Sequence, residues 1–254
     1  MKKLMFAAAV MAAGAAMAVE SSIVGYTTQA VGANKYAMIG VQFEGISNSD
    51  GEIAINDFIT GDFAATDYDD QDEFLDTATE IQVWEGSGYT HYYYLNAHGD
   101  YATGWCDDWG DYTEDTLLPG TAVWFWAKTG ACNVTTPGQV FSEDDTEITC
   151  KEAKYTMVAN FMPVELDLNN SDQVTFDGLI GTDYDDMDEF LETASEIQLW
   201  EGSGYTHYYY LNAHSDYATG WCDDWGDYLT DTIPVGRGFW AWAKTGTYKF
   251  CFKK

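Results

Sequence analysis

The chain has 254 residues, of which 42 are acidic and 11 are basic, so its formal net charge is −31. This excess of carboxylates argues against binding to nucleic acid or to an anionic lipid surface, because clustered lysine and arginine are what bind phosphates. It does not indicate disorder, because 46% of the residues are apolar and 10 tryptophans, 18 tyrosines and 13 phenylalanines can build a core.

The first 18 residues have the pattern of a secretory signal peptide. Lys2 and Lys3 supply a positive start, residues 4–13 form a short apolar run, and residues 16–18 (Ala-Met-Ala) fit the small-x-small cleavage rule. The apolar run is shorter than the roughly 20 residues that a membrane-spanning helix needs. We therefore expect a protein that is secreted or held at the cell surface, without insertion into the membrane.

The chain carries two copies of one unit, offset by 116 positions. Residues 66–112 and 182–228 are two stretches of 47 positions, of which 42 are identical and five differ. A unit of this length suits one domain. We predict a β domain over 19–140 and a duplicate β domain over 147–254, with a linker around 136–148 where a Pro-Gly pair and an acidic run interrupt the pattern.

Within each unit the local signals are those of strands. The predicted strands include 23–31, 36–43, 80–84, 89–96, 122–128 and 238–244. The Gly-containing turn EGSG at 85–88 joins two of them into a hairpin, and residues 72–78 predict one or two helical turns. The fold class predicted is all-β, as two tandem small β-sandwiches or open barrels with Gly- and Asp-rich loops.

A pair of substitutions between the copies identifies a core face. Val123 is replaced by Phe239 in the second copy, while Phe125 is replaced by Ala241. Close-packed interiors favour such compensating changes of volume, so this face of the strand is predicted to be core. By alternation, Trp124 and Trp126 are predicted to point the other way.

Two acidic segments are candidate calcium sites. Closely spaced carboxylates suit Ca²⁺, which takes 6–8 oxygen ligands in irregular geometry. The spacing does not match the EF-hand, and a solvated acidic loop without an ion is the alternative. The candidate ligands are Asp67, Asp69, Asp70, Asp72 and Glu73 in the first copy and Asp183, Asp185, Asp186, Asp188 and Glu189 in the second.

Gly- and Asp-rich segments with paired tryptophans follow each hairpin. Trp105 and Trp109, with copies Trp221 and Trp225, are candidate sugar-binding residues, because an aromatic ring beside carboxylates can stack on a sugar and accept its hydroxyl hydrogen bonds. Two such loops would give two weak sites and avidity. The alternative is that the tryptophans pack beneath the loop.

Five cysteines in an exported chain indicate disulfides. One scheme joins Cys106 to Cys132 and Cys222 to Cys251 and leaves Cys150 unpaired. A bridge between Cys132 and Cys150 is the rival scheme.

The sequence shows no pattern typical of catalysis. The only histidines, His91, His98, His207 and His214, have no metal-binding spacing, and no G-x-S-x-G motif is present. An acid pair for glycoside hydrolysis among the 42 acids is a remote alternative. We therefore predict that the protein is not an enzyme.

Several segments together resemble a known group of proteins. ESSIVGYT at 20–27, KYAMIGVQF at 35–43, the EIQVW hairpin, and the closing strands LPGTAVWFWA and VGRGFWAWA are similar to those of secreted bacterial proteins that occur as many paralogues per genome. The resemblance implies tandem β-domains of a surface or structural type, with no assigned activity and no catalytic residue to carry over.

These observations predict a non-enzymatic secreted or cell-surface protein of structural or adhesive type, with calcium-dependent self-assembly as one mode of action. Its expected partners are itself or other surface proteins. The alternative is a carbohydrate-binding protein that uses the loop tryptophans to bind polysaccharide.

Overall fold

The computed structural model of the chain describes residues 24–45, 51–140, 145–184 and 187–253. The predicted signal peptide lies outside these ranges. The first half contains β1 (Val24–Val31), β2 (Lys35–Gly40), β3 (Phe43–Glu44), β4 (Ile53–Ala54), α1 (Ile55–Phe58), β5 (Thr60–Gly61), α2 (Gln71–Thr77), β6 (Glu80–Trp84), β7 (Tyr89–Leu95), β8 (Gly104–Cys106), β9 (Thr116–Leu117), β10 (Ala122–Ala127) and β11 (Cys132–Val140).

The second half repeats most of this order. It contains β12 (Asp145–Cys150), β13 (Lys154–Ala159), β14 (Val174–Asp177), α3 (Met187–Thr193), β15 (Glu196–Trp200), β16 (Tyr205–Leu211), β17 (Gly220–Cys222), β18 (Gly238–Ala243) and β19 (Tyr248–Lys253). Strands dominate the described ranges and their helices are seven residues or shorter, so the all-β prediction is confirmed.

Each half builds its own antiparallel sheets. The five-stranded sheets have the orders β2-β10-β6-β7-β8 and β13-β18-β15-β16-β17. The smaller sheets are β1-β11-β3, with β5 also on β11, and β12-β19-β14, and a two-stranded pair β4-β9 completes the first half. In each half a hydrophobic core lies between the small sheet and one face of the five-stranded sheet.

The predicted hairpin and core face are both present. β6 pairs with β7 in the register Glu80 opposite Tyr93, and the EGSG turn connects them. Val123 and Phe125 are fully buried, as are their replacements Phe239 and Ala241. The second copy therefore exchanges a small-large pair for a large-small pair on one buried face, as the sequence predicts.

Strands extend into both ends of the predicted linker, residues 136–148. Residues 136–140 continue β11, in which Pro137 lies opposite Tyr26 of β1. β11 pairs with β5 up to Thr135 and with β3 from Gln139, so Pro137 falls between these pairings, where a missing amide N–H costs least. The next strand begins at Asp145, and residues 141–144 lie outside the described ranges.

The two five-stranded sheets pack against each other through their remaining faces. Trp124 and Trp240 lie in a buried cluster with Met38 and Met157, so Trp124 points away from its own unit's core, as predicted. We call this contact the inter-unit interface, defined by Met38, Ala122, Trp124, Met157, Ala159 and Trp240 together with Tyr36, Trp84, Tyr155 and Trp200 around them.

The inter-unit interface has approximate twofold symmetry. The indole Nε1 of Trp84 donates to the carbonyl oxygen of Tyr155 at 3.1 Å, and Trp200 donates to that of Tyr36 at 3.0 Å. The ring pairs are reciprocal as well, since Trp84 contacts Trp240 at 5.5 Å and Trp124 contacts Trp200 at 5.6 Å. In a twofold interface every contact occurs a second time between the equivalent residues, and here the two copies belong to one chain.

Candidate functional site

A tight loop after β8 presents an exposed tryptophan. The Asp107 carboxylate accepts hydrogen bonds from the backbone N–H groups of Trp109 and Asp111, both at 2.9 Å. Gly110 closes the turn with a φ of +85°, a conformation that favours glycine. Trp109 is 68% exposed at the tip, so a large apolar ring stands in solvent on a turn that its own hydrogen bonds hold.

The same loop occurs in the second unit with the same geometry. Asp223 accepts from the N–H groups of Trp225 and Asp227 at 2.9 Å, and Gly226 has a φ of +83°. Trp225 is also 68% exposed. The chain therefore carries two equivalent exposed tryptophans.

Other aromatic side chains contact each loop that carries an exposed tryptophan. Tyr68 stacks on His98 with ring centroids 4.6 Å apart and an interplanar angle of 10°, and Tyr101 stacks on Tyr112. The Tyr101 hydroxyl donates to Asp111 at 3.2 Å, and the charge of this carboxylate raises the pKa of Tyr101. We call this surface the aromatic loop face, which consists of Tyr68, His98, Tyr101, Trp109 and Tyr112 with Asp107, Asp108 and Asp111, and of the residues 116 positions later in the second unit.

The imidazole of His98 ties the aromatic loop face together. Its Nδ1 lies 2.8 Å from the carbonyl oxygen of Asn96, and its Nε2 lies 2.8 Å from that of Gly110. Carbonyl oxygens only accept hydrogen bonds, so both ring nitrogens of His98 face acceptors on the backbone. His214 has the same two partners in the second unit.

The acidic segments lie beside the aromatic loop faces. Asp67 accepts from the side-chain amide of Asn96 at 2.5 Å, and Asp70 caps α2 by accepting from the N–H of Asp72 at 2.9 Å. Asp69, Asp72 and Glu73 are exposed, and so are Asp183, Asp188 and Glu189 in the second copy. Asp185 and Asp186 lie outside the described residues.

Among the described residues, no three His, Cys, Asp or Glu side chains are grouped so that they could hold a metal ion. The calcium prediction therefore stays a prediction.

Half of the predicted sugar-binding tryptophans are core residues. Trp105 and Trp221 are 1% and 0% exposed. Trp105 packs among Phe63, Tyr94 and Phe125 in the core of its unit, and no sugar in solvent can reach it. The local structure explains the difference, because Trp105 lies within the buried strand β8 and Trp109 lies in the turn beyond it.

The predicted disulfides are not formed. Cys106, Cys132, Cys150, Cys222 and Cys251 are all free. Cys132 lies in the core between the sheets of the first unit, whereas Cys106 packs with Phe74 and Tyr93 on the opposite face of the five-stranded sheet. A pairing of these two cysteines would have to cross the sheet. Burial raises the pKa of the Cys106 thiol to about 11.

The sequence did not predict a triad present in each unit, in which a buried glutamate–lysine ion pair is joined by a histidine whose side chain is 39% or 38% exposed. Glu80 lies 2.7 Å from the Lys128 ammonium and 2.6 Å from His91 Nδ1, and it also accepts from Gln82 at 2.7 Å. Glu196, Lys244, His207 and Gln198 repeat the arrangement. Two sequence features could have predicted the triad: a glutamate begins each EIQ strand, and a lysine follows each aromatic strand. β6 and β10 pair with Glu80 opposite Trp126, which brings Glu80 close to Lys128.

The triad is a structural feature of the sheet. The Lys128 ammonium also lies over the ring of Trp126 at 4.6 Å and over that of Tyr93 at 5.1 Å, so its charge is enclosed by aromatic faces and a carboxylate. A buried carboxylate with three donors is fully satisfied, which leaves the exposed aromatic loop faces as the candidate binding surface.

No protein-family model, curated protein or solved structure matches this chain. Among the described residues, no helix is both long enough and apolar enough to span a membrane.

Proposed function

We propose that this is a non-enzymatic adhesive protein of the bacterial cell exterior that binds polysaccharide through its two aromatic loop faces. The observation that carries the proposal is the pair of tryptophans, Trp109 and Trp225, each 68% exposed on an equivalent hydrogen-bonded turn. Leaving so large an apolar ring in water is unfavourable, and an exposed tryptophan on a hydrogen-bonded turn is typical of a binding anchor.

The residues around each tryptophan suit a sugar. The indole and the tyrosine rings offer flat apolar surfaces to the C–H face of a pyranose ring, while Asp108 and Asp111 can accept hydrogen bonds from its hydroxyl groups. A neutral polysaccharide avoids the repulsion that a chain of net charge −31 exerts on polyanions. Two equivalent sites on one chain add avidity to individually weak contacts.

The test is retention on neutral polysaccharides in affinity gels. We expect the wild-type protein to be retarded by at least one neutral polysaccharide, Trp109→Ala and Trp225→Ala each to weaken the retardation, and the double variant to abolish it. Tyr26→Ala is the matched control, because Tyr26 is a 74% exposed aromatic residue on β1 outside both loop faces. Unchanged retardation of the double variant, or release of reducing sugar from the polysaccharide, would contradict the proposal.

Calcium-dependent assembly is the second candidate function. It is favoured by the exposed carboxylates of Asp69, Asp72 and Glu73 beside the first loop face, which a divalent ion could bridge to a second copy. Sedimentation velocity in calcium, magnesium and EDTA tests it. A calcium-specific increase in mass supports assembly, and identical profiles in the three buffers contradict it.

A further inference from the structure

Two clefts open at opposite ends of the inter-unit interface. The first has a volume of about 560 Å³ and lies between Trp84 and Glu85 of one unit and Lys151, Lys154 and Tyr155 of the other. The second has a volume of about 380 Å³, and Trp200, Glu201, Lys35, Tyr36 and Arg237 line it. They correspond to each other under the approximate twofold symmetry, and both fall within the size range of small-ligand sites.

The charge of these clefts is opposite to that of the protein. Each is lined by two cationic side chains and one carboxylate, in a chain that has 42 acidic residues and 11 basic ones. Lys151 and Lys154 are exposed, and within the described part of the chain neither forms an ion pair. Unpaired ammonium groups in a concave site favour an anionic ligand.

The two copies reach this charge by different substitutions. Lys35 and Lys154 occupy equivalent positions 119 residues apart. In the first cleft the second cation is Lys151, and the equivalent residue in the other copy is Gly32. In the second cleft the second cation is Arg237, and the equivalent residue in the other copy is Thr121. The copies thus differ at both positions, yet each cleft has two cations, which argues that positive charge at these places has a use.

The clefts differ in their hydroxyl groups. Five hydroxyl side chains line the first cleft, namely Ser87, Thr116, Thr121, Thr149 and Thr156, in addition to the phenol of Tyr155. Tyr36 supplies the hydroxyl of the second. Thr116 and Thr121 donate to Glu52 and to the Leu118 carbonyl oxygen. Their oxygens can still accept, so the first cleft suits a ligand that carries several hydroxyl groups of its own.

We propose that the first cleft binds a carboxylated monosaccharide, a hexuronate, with its carboxylate on Lys151 and Lys154 and its ring beside the half-buried indole of Trp84. One negative charge is enough to engage both ammonium groups, while a long polyanion would be repelled by the acidic surface beyond the cleft. None of the residues of the aromatic loop faces lines this cleft, so the inference does not rest on the function proposed above.

The experiment is a titration of the full chain with glucuronate, glucose and acetate, followed by calorimetry or by amide chemical shifts. We expect saturable glucuronate binding with a stoichiometry near one, weakened by added salt, and weaker or no binding of glucose and acetate. Lys151→Gln with Lys154→Gln should lower the affinity about tenfold or more, because charged hydrogen bonds to the ligand are lost.

Three controls keep the test specific. Lys249→Gln removes a half-buried lysine on β19, outside both clefts, and should leave the affinity unchanged, as should Lys35→Gln in the second cleft. Trp109→Ala with Trp225→Ala should also leave glucuronate binding intact, which separates failure of this inference from failure of the proposed function. Absence of glucuronate binding, equal binding of acetate, or full affinity in the lysine double variant would overturn the inference.

Discussion

Replacing Lys128 with methionine tests the energetics of the buried ion pair. The variant keeps the aliphatic stem but removes the ammonium from a pair in which the side chains of Lys128 and Glu80 are 6% and 4% exposed. Glu80 then retains His91 and Gln82 as hydrogen-bond donors but loses the full positive charge of the Lys128 ammonium beside it. Removing one partner of a buried pair costs about 3–5 kcal/mol, and the retained donors favour the lower end. Loss of the cation–π contacts adds about 0.5–1 kcal/mol.

The assay is urea denaturation followed by tryptophan fluorescence and far-UV circular dichroism, with a lower midpoint and an unchanged slope expected. Lys244→Met should behave alike, because its distance to Glu196 is 2.8 Å. Lys249→Met, which breaks the exposed pair with Glu147, should leave the midpoint unchanged. The double variant Glu80→Gln with Lys128→Met should recover much of the loss, since no buried charge remains unpaired. A loss below about 1 kcal/mol for Lys128→Met would refute the reasoning, because that is the range of exposed pairs.

Three further predictions address the cysteines, the loop and the interface. At pH 8 the native Cys106 thiol should resist iodoacetamide, while the more exposed Cys251 reacts first. The labelling rate of Cys106 should still rise between pH 9 and pH 10, because burial raises the Cys106 pKa to about 11 and the thiolate is the reactive form. Rapid labelling of Cys106 at pH 8 would contradict this. Gly110→Ala should weaken polysaccharide retention and lower the free energy of unfolding by about 1–3 kcal/mol, since the φ of Gly110 is +85° and a Cβ would lie 2.4 Å from the Tyr68 ring. Gly88→Ala is the neutral control, because no atom lies within 4 Å of a Cβ built there. Gly40→Val should lower the free energy of unfolding by about 1–3 kcal/mol through overpacking, because a Cβ at residue 40 would lie 2.7 Å from the Cβ of Ala159 across the inter-unit interface. An unchanged denaturation midpoint would show that the sheets do not pack as described.

The sequence predicted the features that depend on local pattern. The hairpin of β6 and β7 and the buried face of Val123 and Phe125 follow from period-two alternation and from the compensating substitutions between the copies. The continuation of β11 through Pro137 was not predictable, because it depends on gaps between partner strands that lie far away in the chain.

The candidate site was predicted in part for the same reason. Trp105 and Trp109 are only four residues apart in one Gly- and Asp-rich segment, and local composition does not separate the end of β8 from the turn. The clefts between the units are invisible to local pattern, because they bring Trp84 and Lys151 together across the inter-unit interface.

The reciprocal contacts of Trp84 and Trp200 have a consequence for the polysaccharide binding proposed above. A dyad turns one tryptophan loop roughly head to tail with respect to the other, while a polysaccharide strand has a direction, with distinct reducing and non-reducing ends. For a strand that runs perpendicular to the twofold axis, two sites with identical preferences select opposite strand directions. If the loop faces bind polysaccharide as proposed, this arrangement would favour binding to neighbouring strands of opposite polarity, and so cross-linking of a fibrous matrix.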